Sequence, residues 1–241
     1  MIRTFILLLA TALVLIVTLP FLIVFLFTSK PKEGKPVPKA CERLAHFVLP
    51  NLMKLAGADV HISGKENMPD GPALYVANHQ SYFDIMIVLS YMTPLKGFIA
   101  KKEVDRVPIL NWWLRVVGCL FIDRANLRSS LDTINEAEQI LRNGHTLVVF
   151  PEGTRSRGKA MREFKGGSLR CAIRAGVPIV PFVIDGAYKL FEEHNRITPA
   201  SVNVKILPPI QTKDRELKTN ELAKELHDMI ENELKEAHKN D

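Results

Sequence analysis

The amino-terminal part of the chain is a long apolar run. No charged residue occurs between Thr4 and Ser29. A single helix of that length would extend about 39 Å, more than the roughly 30 Å hydrocarbon layer of a bilayer. Pro20 interrupts the run and predicts a kink or a break. We expect a retained membrane segment. The alternative, a cleaved signal peptide, requires a shorter run and a small-x-small site, which does not follow before Lys30.

Basic and proline-punctuated sequence follows this run directly. Only Arg3 and the amino terminus supply positive charge on its other side, whereas a group of lysines follows it: Lys30, Lys32, Lys35 and Lys39. By the positive-inside rule, this asymmetry predicts that the rest of the chain lies on the cytoplasmic face of the cell membrane. The stretch from Pro31 to Pro38 is typical of a linker.

The segment from Lys39 to Ala56 has a helical period. Its apolar positions fall on one flank: Leu44, Val48, Leu52 and Leu55. Such a helix could lie in the membrane interface beside the first segment, or it could be an ordinary amphipathic helix packed on the domain. Both interpretations remain open. We predict a membrane anchor and interfacial helix over residues 1–58 and a separate domain over residues 59–241.

Short apolar runs alternate with helical patterns after Ala58. One helical face contains Leu127, Leu131, Ile134 and Leu141, and another occupies the carboxyl-terminal region from about Thr219. This alternation predicts an α/β fold, with a mixed central sheet covered by helices. The predicted strands are Ala73–Ala77, Phe98–Ala100, Leu120–Ile122, Leu147–Phe150, Ile179–Ile184 and Val202–Leu207.

Composition narrows the class of protein. The 241 residues suit one domain plus an anchor, and 47% apolar with 24% charged residues excludes a disordered chain, a collagen and a coiled-coil rod. A net charge of +6 indicates an anionic partner: a nucleic acid, a membrane surface or a phosphorylated substrate. The three cysteines have no CxxC spacing, which argues against a disulfide scaffold.

The first candidate for catalysis follows the strand Ala73–Ala77. His79 stands at the carboxyl end of that strand, where α/β sheets place their sites, and Asp84 follows in a helical pattern. If His79 is in the loop and Asp84 in the first helical turn, the carboxylate can reach one ring nitrogen and make the other a better base. His79 would then be a general base. The alternative is a histidine with a purely structural hydrogen bond.

The second candidate, Phe150–Ser156, follows the strand Leu147–Phe150. Its turn leaves Glu152, Gly153, Thr154 and Arg155 at the edge of the sheet, and a basic run with Phe164–Ser168 continues toward a helix. Arginine beside a glycine-flanked helix start predicts an anion site. For the later basic residues Arg157 and Lys159, a solvated loop is the better interpretation.

Two further segments complete the set. Lys101 and Arg124 each follow a predicted strand, so two more cations are expected at the same edge of the sheet. Between them, an apolar stretch around Trp112 and Trp113 could pack in the core or line a hydrocarbon site. The two prolines of Val177–Pro181 predict an edge strand or a bent strand. His79 has no His, Cys or carboxylate companions at metal-ligand spacing, so we expect no metal.

Together these segments closely resemble the 1-acyl-sn-glycerol-3-phosphate acyltransferases, in particular the short bacterial members. His79 and Asp84 match the family's His-x4-Asp block, and Phe150–Ser156 matches its Phe-Pro-Glu-Gly-Thr-Arg-Ser block completely. The second block is similar to the run from Phe98 and Lys101 to Arg124, and the fourth to Val177–Pro181. His-x4-Asp alone is a common accident, but four blocks in order are highly specific.

The resemblance implies transfer of a fatty acyl group from acyl carrier protein or coenzyme A to the sn-2 hydroxyl of lysophosphatidate, giving phosphatidate. It implies that Asp84 orients His79, which deprotonates the hydroxyl for direct attack on the thioester. Lys101, Arg155 and Arg124 are the candidates for the acceptor's phosphate. Glu152, Gly153 and Thr154 would shape the glycerol-phosphate pocket, although Glu152 could instead hold Arg155. Beyond the thioester co-substrate, no cofactor is expected.

Two other functions remain open at this stage. The same motifs could acylate another lysolipid, such as lyso-ornithine lipid, which would relax the demand for Lys101 and Arg155. A distant alternative is a non-catalytic, membrane-tethered basic module that binds anionic lipid or nucleic acid. The scarcity of aromatic stacking platforms argues against a nucleic-acid partner.

Overall fold

A seven-stranded sheet with helices on both faces forms the centre of the computed structural model, which describes residues 1–213 and 218–239. The strand order is β1-β7-β6-β2-β5-β3-β4. All neighbouring strands are parallel except β6 and β7, so the α/β class and the mixed sheet are confirmed. The strands are β1 Ala58–Ser63, β2 Leu74–Ala77, β3 Gly97–Lys101, β4 Leu120–Ile122, β5 Leu147–Val149, β6 Ile179–Asp185 and β7 Ala200–Ile206.

Helices cover the two faces of the sheet. One face carries α1 to α5, and the other carries α6 to α8. The central strands β2 and β5 are buried along their whole length, which explains their uninterrupted apolar sequence. The helices are α1 Ile2–Val17, α2 Leu19–Thr28, α3 Lys39–Ala56, α4 Phe83–Tyr91, α5 Leu110–Val116, α6 Leu127–Arg142, α7 Arg170–Ala175 and α8 Thr219–Ala237.

Strand β1 was not predicted, and β6 contradicts the edge-strand alternative for the two prolines. In β1, half-buried and exposed residues alternate, and the strand pairs in parallel with β7. The strand β6 is not an edge strand, because it lies between β7 and β2. The Pro181 carbonyl accepts the Leu207 N–H at the end of the antiparallel ladder with β7. The N–H that proline lacks therefore falls where pairing with β7 stops, and the proline is tolerated there.

The apolar amino-terminal run is broken in two, as Pro20 predicts. Helix α1 ends at Val17 and α2 begins at Leu19, with a bend of 56° between them. Within the described residues, no single helix has the length and apolar character to cross a membrane, whereas α1 and α2 taken together meet those two criteria.

Helix α3 packs on the domain. Its Cys41, Met53 and Ala56 are buried in the core that also contains residues of β2 and α4. The same helix leaves Phe47 72% exposed. The inner face of α3 is therefore that of an ordinary amphipathic helix packed on the domain. Contact of its outer face with lipid stays a prediction. The domain boundary at residue 58 also stays a prediction.

The parallel strands bring the candidate segments together. Strands β2, β5, β3 and β4 are parallel neighbours, so their carboxyl ends lie along one edge of the sheet. The loops that follow them begin at Asn78, Phe150, Lys102 and Asp123. This edge is where open α/β sheets form their sites.

Candidate active site

His79 and Asp84 are in direct contact. His79 lies in the loop after β2, and Asp84 is the second residue of α4. The His79 Nδ1 atom is 2.7 Å from Asp84 Oδ2. A carboxylate at this distance holds the proton on Nδ1 and leaves the lone pair of Nε2 free to accept a proton. The strand–loop–helix junction therefore allows the reach across five residues that a continuous helix would prevent.

Asp84 is fixed in place by the backbone before it. The same Oδ2 accepts the backbone N–H groups of Gln80 at 2.7 Å and Ser81 at 2.9 Å. The side chain is completely buried. Burial raises the pKa of Asp84 above its ordinary value, against the lowering effect of His79 and of the two N–H groups. These bonds set the angle from which the carboxylate meets the imidazole.

An aromatic ring covers one face of the His79 imidazole. Its side chain is only 15% exposed, and its ring stacks on Phe150 with centroids 4.3 Å apart and an angle of 16° between the planes. Phe150 itself is buried and stacks on Phe98. An aromatic wall of this kind fixes the ring orientation and keeps bulk water away from one of its faces.

Glu152 joins the loop after β2 to the loop after β5. Its Oε1 accepts the backbone N–H of His79 at 2.7 Å, and its Oε2 accepts that of Arg162 at 2.9 Å. The backbone N–H of Ser156 donates to the His79 carbonyl at 2.7 Å. Burial raises the pKa of Glu152, and these N–H donors oppose the rise. Glu152 therefore holds the loop that contains His79, called the base loop below, and it does not hold Arg155.

Arg155 is held instead by Glu192, a residue that the sequence analysis missed. Arg155 Nη1 is 2.7 Å from Glu192 Oε1, and the guanidinium lies 3.3 Å from the centre of the Tyr82 ring. Glu192 also accepts the Tyr82 N–H at 2.9 Å and the Ser81 hydroxyl at 2.6 Å. Its position after β6 carries no motif that would have signalled this role.

Arg124 and Gly153 also meet at this edge. The Arg124 guanidinium donates to the Gly153 carbonyl. Gly153 has φ +76°, a left-handed conformation that favours glycine, and a Cβ atom there would displace the guanidinium of Arg124. Thr154 is exposed in the same turn. The contact of Arg124 with Gly153 thus joins the loop after β4 to the loop after β5.

Lys101 stands apart from these contacts. It is the last residue of β3, and its ammonium lies 2.9 Å from the exposed carboxylate of Glu103. Within residues 1–213 and 218–239, no hydrogen bond joins it to His79, Asp84 or Glu152. Its contact with Glu103 therefore does not connect Lys101 to the base.

In the described part of the chain, no residues are arranged for metal-ion chemistry or for a cysteine nucleophile. No group of three or more His, Cys, Asp or Glu side chains is arranged there to hold a metal ion. The three cysteines, Cys41, Cys119 and Cys171, are free and buried. Burial raises the pKa of each thiol to about 12, so none is a thiolate nucleophile near neutral pH.

Comparison with known proteins agrees with this arrangement. A family model described as Acyltransferase matches residues 59–185. The chain is 34% identical to a probable 1-acyl-sn-glycerol-3-phosphate acyltransferase of Mycoplasma pneumoniae, over 82% of this chain and 77% of that protein. It is 35% identical to the 1-acyl-sn-glycerol-3-phosphate acyltransferase of Saccharomyces cerevisiae, over 77% of this chain and 63% of that protein.

A solved structure is similar along nearly the whole chain. It is the crystal structure of the 1-acyl-sn-glycerophosphate acyltransferase PlsC from Thermotoga maritima, with a TM-score of 0.79 and 31% sequence identity. The similarity covers 98% of this chain and 97% of that one, so it includes the amino-terminal helices as well as the sheet.

Proposed function

The chain belongs to the family of 1-acyl-sn-glycerol-3-phosphate acyltransferases, and on that premise we propose that it transfers a fatty acyl group from a thioester to the sn-2 hydroxyl of lysophosphatidate, giving phosphatidate. The observation that carries the proposal is the 2.7 Å contact of His79 Nδ1 with Asp84. It supplies an oriented base beside an anion-binding edge. Those are the two requirements of a phosphorylated alcohol acceptor.

The mechanism is a direct attack. Nε2 of His79 takes the proton of the acceptor hydroxyl, and the oxygen attacks the thioester carbonyl to form a tetrahedral oxyanion. Collapse of that intermediate expels the thiolate, which His79 protonates. Asp84 keeps the imidazole in the required tautomer and stabilises its charged form. The three buried cysteines support this direct route, because none of them has the pKa of an acyl-accepting thiol.

Arg155 is the strongest candidate for the acceptor's phosphate. One of its nitrogens is engaged by Glu192 and one face of the guanidinium by Tyr82, which leaves the remaining donors in a fixed direction. A preorganised guanidinium can bind a phosphate through two parallel hydrogen bonds. Lys101 and Arg124 are secondary candidates. A lysolipid acceptor without a phosphomonoester, such as lyso-ornithine lipid, remains the alternative.

The amino-terminal helices would hold the enzyme at the membrane. Large apolar side chains of α1 and α2 are exposed, among them Phe5, Leu8, Ile16, Phe21 and Phe27. Exposed apolar surface of this kind is typical of a lipid contact. Together with the lysines that follow, it supports anchoring at the cytoplasmic face, where the lysolipid and its product reside.

The test is phosphatidate formation by the full chain purified in detergent. Lysophosphatidate is supplied with a labelled acyl-coenzyme A or acyl-carrier-protein donor, and His79→Ala is compared with His61→Ala, a control on the exposed strand β1. We expect product from the wild type and from His61→Ala, and a loss of about 10³-fold or more in His79→Ala. Equal activity in the folded His79→Ala variant would refute the base. Turnover of lyso-ornithine lipid alone would establish the alternative acceptor.

A further inference from the structure

A second opening lies at the same edge of the sheet, on the face that carries α6, α7 and α8. It is a groove with a volume of about 350 Å³, which is within the usual size of small-molecule sites. Its floor is apolar and includes Ile122, Ile134 and Val149. Its rim carries three cations: Arg124, Lys165 and Arg170. A ligand that fits it must combine an anionic group with an uncharged chain.

The inner end of this groove adjoins the base. Phe150 lines the groove, and the ring of the same residue stacks on His79. Arg124 lines it as well and bonds to the Gly153 carbonyl in the turn next to Glu152. A bound chain that ends at Phe150 would therefore bring its terminal group to the edge of the catalytic opening.

Direct transfer requires a second route to His79. The direct attack proposed above brings the acceptor hydroxyl and the thioester carbonyl into the site together. The apolar helices α1 and α2 lie on the opposite face of the sheet from the groove, which is the side suited to a lipid acceptor. The groove offers an approach from the other face of the sheet, and its cations Arg124, Lys165 and Arg170 are exposed.

The rim is complementary to a phosphate. Lys165 and Arg170 both line the groove, and neither forms an ion pair with another described residue. Leu127 on α6 lines the same groove and is 76% exposed. Unpaired cations bind a phosphate oxygen without first breaking an internal salt bridge. The apolar floor suits the alkyl and amide chain that joins such a phosphate to a thioester.

We propose that this groove binds the phosphopantetheine arm of the acyl donor, with the phosphate at Lys165 and Arg170 and the thioester end at Phe150. The assignment rests on the proposed acyl transfer and specifies where its donor binds. The arm is common to acyl-carrier-protein and acyl-coenzyme A thioesters, so both donors use the groove.

The first experiment compares two arginines of the same short helix. Arg170 lines the groove, whereas Arg174 points to Asn135 and Glu138 on α6. In Arg170→Gln we expect KM to rise about tenfold for acyl-coenzyme A and for the acyl-carrier-protein thioester. KM for lysophosphatidate stays unchanged. Arg174→Gln leaves all three values unchanged. Lys165→Gln is the second groove variant, and thermal unfolding verifies that each variant is folded.

Kinetic outcomes of three kinds would overturn the assignment. A rise in KM for lysophosphatidate alone would make the groove the acceptor's phosphate site. A change with acyl carrier protein but not with acyl-coenzyme A would indicate a protein-docking surface instead of an arm-binding groove. Unchanged KM values in both groove variants would remove the groove from the reaction.

Direct binding separates this proposal from the proposed function. Calorimetry with 4′-phosphopantetheine and with pantetheine, which lacks the phosphate, needs no turnover. We expect the wild type to bind the phosphorylated compound at least tenfold more tightly, and Arg170→Gln to lose that preference. An equal affinity for both compounds in the wild type would refute the phosphate site even if phosphatidate is formed. If the wild type forms no phosphatidate but still binds 4′-phosphopantetheine more tightly than pantetheine, the proposed function would be refuted and the groove assignment supported.

Discussion

The guanidinium of Arg155 is paired with the carboxylate of Glu192 at a distance of 2.7 Å. Glu192 is almost completely buried, with a side chain only 3% exposed, and it also binds the first residues after the base loop through Ser81 and Tyr82. A single carboxylate thus sets both the direction of the proposed phosphate ligand and the position of the helix that carries Asp84. This connection between two sequence blocks is made by a residue outside both.

Replacement of Glu192 tests that connection. We expect Glu192→Ala to lower kcat and to raise KM for lysophosphatidate, each on the order of tenfold, because Arg155 and the base loop lose a charged hydrogen-bond partner. Glu192→Gln keeps the hydrogen bonds without the charge and recovers part of kcat. The neighbouring Glu193→Ala, at an exposed carboxylate, is the matched control. Wild-type kinetics in a folded Glu192→Ala protein would show that the pair is dispensable.

Asp84→Asn tests the tautomer of the base. The buried amide can still fill the space of the carboxylate, but it no longer favours the proton on Nδ1 or stabilises the imidazolium, so we expect kcat to fall by roughly 10³-fold or more. Asp59→Asn is the control, since Asp59 makes the same type of contact with His61 at 3.1 Å on an exposed strand. Initial rates with labelled donor measure the effect. A loss shared equally by both variants would contradict a specific role for Asp84.

The cysteines provide a test of the direct mechanism. Because burial raises the pKa of Cys41, Cys119 and Cys171 to about 12, almost no thiolate forms below pH 9 in the folded state. We expect iodoacetamide at pH 8 to leave the native protein unmodified and fully active, and to alkylate all three thiols after unfolding. Mass spectrometry of intact protein counts the modified residues. Rapid alkylation with parallel loss of activity would favour a thioester intermediate on the enzyme.

Lys96 predicts a pH dependence of stability. It is buried before β3, with its ammonium 3.0 Å from the Pro94 carbonyl and 4.8 Å from the centre of the Tyr75 ring. Burial lowers its pKa from 10.5 to about 8, although the charge of Glu42 opposes the shift. Between these values the unfolded chain binds the proton and the folded chain does not, so the free energy of unfolding rises as pH increases from about 8 to 10.5.

Lys96→Met removes that dependence. We expect the variant to be more stable than the wild type at pH 7, by up to about 3 kcal/mol, with the difference shrinking as pH approaches 10. Thermal unfolding in detergent across this range gives the comparison, and Lys65→Met at an exposed position is the control. A constant difference between wild type and Lys96→Met at every pH would mean that the lysine does not titrate in this range.

Local sequence determined the central strands and the His79–Asp84 pair at the edge of the sheet. Uninterrupted apolar runs predicted β2 and β5, because strands covered on both faces have no solvent-facing positions. The contact of His79 with Asp84 was also accessible, since it spans only five residues across a strand–helix junction. The break at Pro20 followed from the missing N–H of proline. Even so, β1 was not predicted, although its half-buried and exposed residues alternate locally. The interior position of β6 was not accessible, because it depends on pairing with β7, which follows later in the chain.

Tertiary structure alone decided what surrounds the base. Ser81 and Glu192 are separated by 111 residues and meet only because β6 lies beside β2 in the sheet. The stacking of Phe150 on His79 likewise depends on β2 and β5 being neighbours. Residue type and local spacing specify which hydrogen bonds a side chain is able to form. Which partner it meets is settled by strand order and register, and these depend on packing of the whole chain.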